Sequence, residues 1–163
     1  MIPFTQKMKD KTIDYALRVA WQAIVKFYNE EASKVDMTMA MGFALLSIDP
    51  IKGTPSTALG PKMGLEATSL SRTLKIMEEK GLIVRSRNPD DGRSVLIGLT
   101  PLGVKKREAS KEVVLHFNDV VKNTLTERKL NHFYEVIETI IQLVQNKKVY
   151  LTELKSYDLE KTT

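Results

Sequence analysis

Apolar residues recur at three- and four-residue steps along the first part of the chain: Ile13, Leu17, Ala20, Trp21, Ile24, Phe27 and Tyr28. That period places them on one face and predicts a single long helix over residues 8–34. A second helix is predicted over 37–48, with Asp36 as its N-cap. Asp49-Pro50-Ile51-Lys52-Gly53 then reads as a loop. Thr54-Pro55 is placed to open a third helix, because proline suits the first helical position. Gly60 and Pro61 fall where its interior should be. It therefore either starts late, with Pro61 in its first turn, or is distorted. Gly64-Leu65 makes a turn, and a fourth helix follows over 66–80. Leu70, Leu74 and Met77 form its buried stripe, helped by Thr73. Thr68, Ser69, Ser71, Arg72 and Lys75 fall mostly on the opposite face. Gly81 supplies a left-handed C-terminal cap.

The period then changes. Leu82-Ile83-Val84 and Val95-Leu96-Ile97 are short runs of strand formers around a turn built from Asn88, Pro89, Asp90, Asp91 and Gly92. Arg85, Arg87 and Arg93 sit on or beside this hairpin, and Arg85 and Arg87 share a strand face because Ser86 lies between them. Thr100-Pro101 opens another long helix, a hydroxyl cap followed by proline. Val104, Val113, Phe117, Val120, Val121 and Leu125 stripe it. Thr126-Glu127 caps a sixth helix, striped by Leu130, Phe133, Ile137, Ile140 and Val144. Residues 146–163 are weakly patterned, with a last helical turn expected around Val149 to Leu154.

The expected fold class is mainly α with a small β-hairpin wing: a winged helix-turn-helix carrying N- and C-terminal dimerisation helices. The organisation is an N-terminal dimerisation helix (1–36), a winged helix-turn-helix domain (37–100), and C-terminal dimerisation helices with a tail (101–163). The central unit is too small to bury the apolar stripes of the outer helices, so a helical homodimer interface is their expected destination.

Composition narrows the function. The 163 residues include no Cys, which excludes a disulfide framework, a Cys-ligated zinc site and a thiol redox sensor. The first residues lack the apolar stretch of a signal peptide. No apolar run approaches the roughly 18 residues of a membrane span. A soluble cytoplasmic protein without membrane association is the expectation. Net charge is +5. Residues 1–53 carry 7 basic and 6 acidic groups, 54–100 carry 7 and 5, and 101–163 carry 11 and 9. The excess is spread, so net charge alone says little about nucleic acid. The grouping of Arg72, Lys75, Arg85, Arg87 and Arg93 within one helix-and-hairpin motif says more. Arginines at a hairpin tip suit the focused negative potential of a narrow DNA minor groove.

The run from about 55 to 103 resembles the MarR family of bacterial transcription regulators. The resemblance is carried by Gly64-Leu65 before a hydroxyl-rich helix, by Met77-Glu78-Glu79-Lys80-Gly81-Leu82-Ile83, and by Asp91-Gly92-Arg93-Ser94 followed by Leu99-Thr100-Pro101-Leu102-Gly103. The helical order on both sides extends it over about residues 10–146. It implies an obligate homodimer joined by its terminal helices, a recognition helix in the major groove of double-stranded DNA, and a wing reaching the minor groove. It also implies a small lipophilic or phenolic effector between the DNA-binding lobe and the dimerisation helices. Carried over, the recognition contacts fall on Thr68, Ser69, Ser71 and Arg72. The wing-tip contact falls on Arg93, oriented by Asp91. Gly60-Pro61 departs from the family's unbroken helix, and cysteine-based oxidant sensing is excluded.

Other readings compete for some of these residues. Thr68 and Ser69 also suit a helix cap, and hydroxyls accept either type of base pair, so Arg72 is the expected base contact. Arg87 and Arg85 suit phosphates, with a solvated strand as the alternative. Met37, Met39 and Met41 suit either an adaptable pocket or core. Trp21, Phe27 and Tyr28 suit an interface or a pocket wall. His116 and His132 are too few for a metal site. No Gly-rich phosphate loop, nucleophile elbow or metal cluster is present, so neither an enzyme nor a cofactor is expected. The resulting expectation is a ligand-responsive repressor acting as a homodimer on a pseudo-palindromic operator. The alternative is a winged-helix protein-interaction module without sequence-specific DNA binding.

Overall fold

The computed structural model describes residues 11–89, 91 and 94–149. The chain divides into two compact units, one ending at His116 and the other starting at Phe117.

In the first unit, helix α1 (Ile13–Ser33) carries the predicted stripe. It ends differently from the expectation. Asp36 does not cap the next helix; it takes a φ of 57°. Its N–H donates to the Ser33 carbonyl at 3.2 Å, and the Met37 N–H donates to the Ala32 carbonyl at 3.0 Å. This paired pattern around a left-handed residue closes a helix C-terminus. The N-cap of α2 (Met39–Ser47) is Thr38, whose hydroxyl accepts from the Met41 N–H at 3.3 Å. Thr38 takes over because its extended backbone starts the new helix while Asp36 is still finishing the old one.

The Asp49 carboxylate accepts from the Ile51 and Lys52 N–H groups, both at 2.8 Å, which sets the loop after α2. Those bonds hold its carboxyl below the usual carboxylate range. Thr54-Pro55 does lead into the third helix, with Pro55 as its N-cap and not its first residue. The two residues also form strand β1 (Thr54–Pro55), the outer strand of a three-stranded antiparallel sheet of order β1-β3-β2. Proline is tolerated there because an edge strand leaves one side of its backbone unpaired. Thr54 is buried and its hydroxyl accepts from the Asp49 N–H at 2.9 Å. Helix α3 (Ser56–Met63) begins directly after it and runs through Gly60 and Pro61 to Gly64, whose φ is 61°. Pro61 therefore lies mid-helix, not in a first turn.

Helix α4 (Ala67–Glu79) buries Leu70, Leu74 and Met77. Gly81 closes it at φ 66°, with its N–H on the Glu78 carbonyl and the Leu82 N–H on the Met77 carbonyl, both at 2.9 Å. Strands β2 (Ile83–Arg87) and β3 (Val95–Leu99) form the hairpin, in register Ile83↔Leu99 to Arg87↔Val95. β3 also pairs Thr54↔Ile97 with β1. Leu45, Ile48, Leu59, Leu74, Met77, Ile83 and Ile97 are fully buried together. One core thus fixes α2, α3, α4 and the root of the hairpin as a unit.

Helix α5 (Pro101–Thr124) starts on this core. The Thr100 hydroxyl accepts from the Gly103 N–H at 3.0 Å and donates to the Gly81 carbonyl at 2.6 Å. A Cβ at Gly103 would stand 1.9 Å from the Leu82 carbonyl oxygen. Only glycine allows that approach.

In the second unit, α6 (Glu127–Gln145) opens on Thr126, whose hydroxyl accepts from the Lys129 N–H. No residue of α6 is buried, and Phe133, Tyr134, Val136, Ile141 and Val144 are exposed. Phe133 and Tyr134 meet edge to face with centroids 5.6 Å apart. Residues 146–149 are a turn, and the expected helical turn through Leu154 lies outside the described residues. No helix among the described residues is long and apolar enough to cross a membrane.

Candidate nucleic-acid interface

Helix α4 has two faces. Leu70, Leu74 and Met77 anchor one in the core, while Thr68, Ser69, Ser71, Arg72 and Lys75 are all exposed on the other. Spacing of three and four residues produces this separation directly. Glu66 occupies the N-cap without a side-chain bond, so Thr68 and Ser69 lie inside the first turn and do not cap it. Their hydroxyls are not spent on the helix start. Thr73 is half-buried, and its hydroxyl bonds back to the Ser69 carbonyl at 3.0 Å. Lys75 stands 4.0 Å from Glu79, both well exposed, a pair that water and salt screen easily. Arg72 makes no ion pair among the described residues.

The turn of the wing is clasped where it leaves the strands. Ser94 is held from both sides. Its carbonyl accepts from the Asn88 N–H at 3.2 Å and its hydroxyl from the Asn88 amide at 2.7 Å. The Ser94 N–H donates to the Asp91 carbonyl at 3.0 Å. Asn88 is buried. This clasp was not anticipated; the signal available was the pair of short polar side chains bracketing Pro89-Asp90-Asp91, a pattern that bonds to its own backbone. Asp91 is exposed. Arg93, the expected tip contact, lies outside the described residues, as do Asp90 and Gly92.

Arg85 and Arg87 are both exposed on β2 and share its face. They differ in company. Arg85 Nε donates to the Glu78 carboxylate at 2.9 Å, joining the wing to the end of α4. Arg87 makes no ion pair among the described residues. The Glu78 partnership was missed because the seven-residue gap between Glu78 and Arg85 spans a helix end and a strand start, and no helical or strand period links them.

A cavity of about 180 Å³ lies beside this motif, between α1, α2 and the first part of α5. Its wall is mainly apolar: Met37, Met39, Phe43, Leu46, Val113 and Val114. Tyr28 also faces it, and burial pushes its phenol above the usual range. Of the expected methionine cluster, Met37 and Met39 line the cavity while Met41 is core. Trp21 is half-exposed, and Phe27 lines a second hollow with His116. Among the described residues no group of three or more His, Asp or Glu is placed to hold a metal ion.

Comparison with known proteins adds to this geometry. Residues 37–95 match the MarR family. The chain is 27% identical over 142 residues to the organic hydroperoxide resistance transcriptional regulator of Bacillus subtilis, covering 85% of this chain and 96% of that one. It superposes on MepR of S. aureus, solved as a DNA complex, with a TM-score of 0.74 at 21% identity, covering 81% and 98% of the two chains. CouR from Rhodococcus jostii, solved with p-coumaroyl-CoA, gives 0.70 at 19% identity, covering 83% and 95%. Fold, exposed polar helix and matched region together define a winged helix-turn-helix transcription regulator. The MarR-family match covers the winged helix-turn-helix part of the chain, residues 37–95.

Proposed function

We propose that the chain is a homodimeric repressor that sets α4 in the major groove and the wing in the minor groove of a pseudo-palindromic operator. An effector in the α1–α2–α5 cavity would lower its DNA affinity. The observation that carries this reading is the α4 face: Thr68, Ser69, Ser71, Arg72 and Lys75 exposed opposite a fully anchored stripe. Hydroxyls and Lys75 serve phosphates and either base pair, while Arg72 can read guanine bidentately. Arg87 serves a phosphate. Arg85, already bound to Glu78, fixes the wing against α4 and shares only part of its charge with DNA. MepR, of like fold, was solved with DNA. No catalytic step is assigned, and the cytoplasm, where the DNA lies, is the site of action. The test is selection from a random duplex pool. An inverted repeat with half-sites about 10 base pairs apart should be enriched; a pool that stays random would refute the proposal.

The apolar cavity suits a small lipophilic or phenolic effector, with polar groups few enough to orient it. Because the chain contains no Cys, thiol oxidation is not the trigger.

Dimerisation is supported by apolar side chains on two helices. α1 leaves Ile13 66% and Trp21 52% exposed, and α6 leaves Phe133 54% and Val136 55% exposed. Such surface calls for a partner. Trp21→Asp and Phe133→Asp should each shift the protein toward monomer in sedimentation velocity. Two variants that remain dimeric at nanomolar concentration would remove these faces from the interface.

At the wing, Arg93→Ala should weaken operator binding about tenfold, equivalent to about 1.4 kcal/mol, without loss of helicity or dimer. Asp91→Ala should reproduce part of that loss. Unchanged affinity for Arg93→Ala at physiological salt would remove the wing from the interface.

A further inference from the structure

We infer that Asp36 is a positioning residue for α4, tying the α1–α2–α5 cavity to the recognition helix through its ion pair with Lys80; this rests on the DNA-regulator reading above. The segment between α1 and α2 has two jobs. Lys34, Val35, Met37 and Met39 line the cavity. Three consecutive residues of the same segment reach three other parts of the unit. The Val35 carbonyl accepts from Lys106 Nζ of α5 at 2.9 Å. The Asp36 carboxylate accepts from Lys80 Nζ, and Lys80 caps the end of α4, its own N–H bonded to the Ile76 carbonyl at 3.0 Å. The Met37 side chain is buried in the core that also holds Leu70, Leu74 and Met77. A displacement of this segment is therefore felt at α4 from both its inner face and its C-terminal end.

The residue type supports the same role. Position 36 takes a φ of 57°, which glycine adopts at the least cost. Asp is among the few side chains tolerated there, and it brings a charge that glycine lacks. That charge is used: the hydrogen bond from Lys80, then the Lys80 charge, and more weakly the Lys106 charge, hold the Asp36 carboxyl below the usual carboxylate range. Asp36 is 91% exposed and Lys80 33%. An exposed pair contributes little to global stability, so its effect belongs in the seating of α4 and in communication. A molecule filling the cavity pushes residues 34–39 outward, parts Asp36 from Lys80, and frees the end of α4.

The test needs no identified effector. Asp36→Asn keeps the left-handed preference and removes the charge; Lys80→Gln removes its partner. Both are titrated against the duplex selected with the wild-type protein. Each should lose about two- to fivefold in affinity, and the double variant should lose no more than either single one. Fully additive losses overturn the proposal. Ala109 lines the cavity, and Ala109→Leu puts bulk where an effector would sit. It should cost about fivefold in the wild-type background and nothing further in Asp36→Asn. Equal losses in both backgrounds, or none in either, overturn the proposal. If circular dichroism shows Ala109→Leu misfolded, the Asp36–Lys80 cycle decides alone. A wild-type protein that selects no duplex refutes the DNA-regulator reading and this link with it. A wild-type protein that binds while its variants add independently refutes the link alone.

Discussion

Replacing Gly103 by Ala should destabilise the winged unit by roughly 3 kcal/mol, the upper end of what overpacking a well-filled site costs. The new Cβ would stand 1.9 Å from the Leu82 carbonyl oxygen and 3.0 Å from its carbon. Both are backbone atoms at the root of the hairpin, so no side-chain rotation relieves the clash. The first turn of α5 has to lift. That lift breaks the Thr100 hydroxyl from the Gly103 N–H at 3.0 Å and from the Gly81 carbonyl at 2.6 Å. One methyl group therefore separates α5 from the end of α4. A melting temperature lower by roughly 6–12 °C is expected for a chain of this size. Gly64 provides the control: its φ is 61°, but nothing lies within 4 Å of its Cβ position. Gly64→Asn keeps the left-handed turn and should change the midpoint far less. Equal, small shifts for both variants would show that α5 does not seat on Leu82 as described.

Arg72→Ala should lower the ratio of specific to non-specific affinity by about tenfold, within the roughly 1–3 kcal/mol that a bidentate arginine–guanine contact discriminates. The other exposed residues of α4 offer less choice. Thr68, Ser69 and Ser71 accept or donate to any base or phosphate, and Lys75 lies 4.0 Å from Glu79 as a point charge. Arg87→Ala should behave differently, weakening operator and scrambled duplex about equally and flattening the salt dependence by about two units of slope per dimer, one phosphate contact being lost in each subunit. Paired titrations of each variant at several salt concentrations separate the two roles. An unchanged ratio for Arg72→Ala would place base reading elsewhere on the helix or in the wing.

The features legible in the sequence are those set by neighbours in the chain. Leu70, Leu74 and Met77 declare α4 by their spacing, and Gly81 marks its end because a left-handed residue must follow it. Thr100-Pro101 marks the start of α5 by the same local chemistry. What was illegible depends on distant partners. Thr54-Pro55 carries a helix-opening signal and α3 does start behind it, but nothing local shows that the same two residues pair with Ile97 and Leu96 as a strand. Asp36 suits an N-cap by residue type, but the closing turn of α1 claims it and Thr38 caps α2 instead. Arg85 and Arg87 are equivalent by alternation, and Glu78 alone distinguishes them. The cavity wall combines residues of α1, α2 and α5, and no period within one helix reveals it. The pattern of exposed residues on α4 was available from the sequence because its opposite face is so regularly apolar.

The most direct test of DNA recognition by α4 and the wing is the salt dependence of binding, measured by fluorescence anisotropy on a selected duplex and on its scrambled counterpart. Each phosphate contact lowers the slope of log K against log salt by about 0.9. A dimer bringing Arg72, Lys75, Arg87 and Arg93 from both subunits should show a steep negative slope on both duplexes, with the selected one bound tighter throughout. A flat salt response, or identical affinity for the two duplexes, would contradict sequence-specific DNA binding and leave the winged helix as a surface for a protein partner.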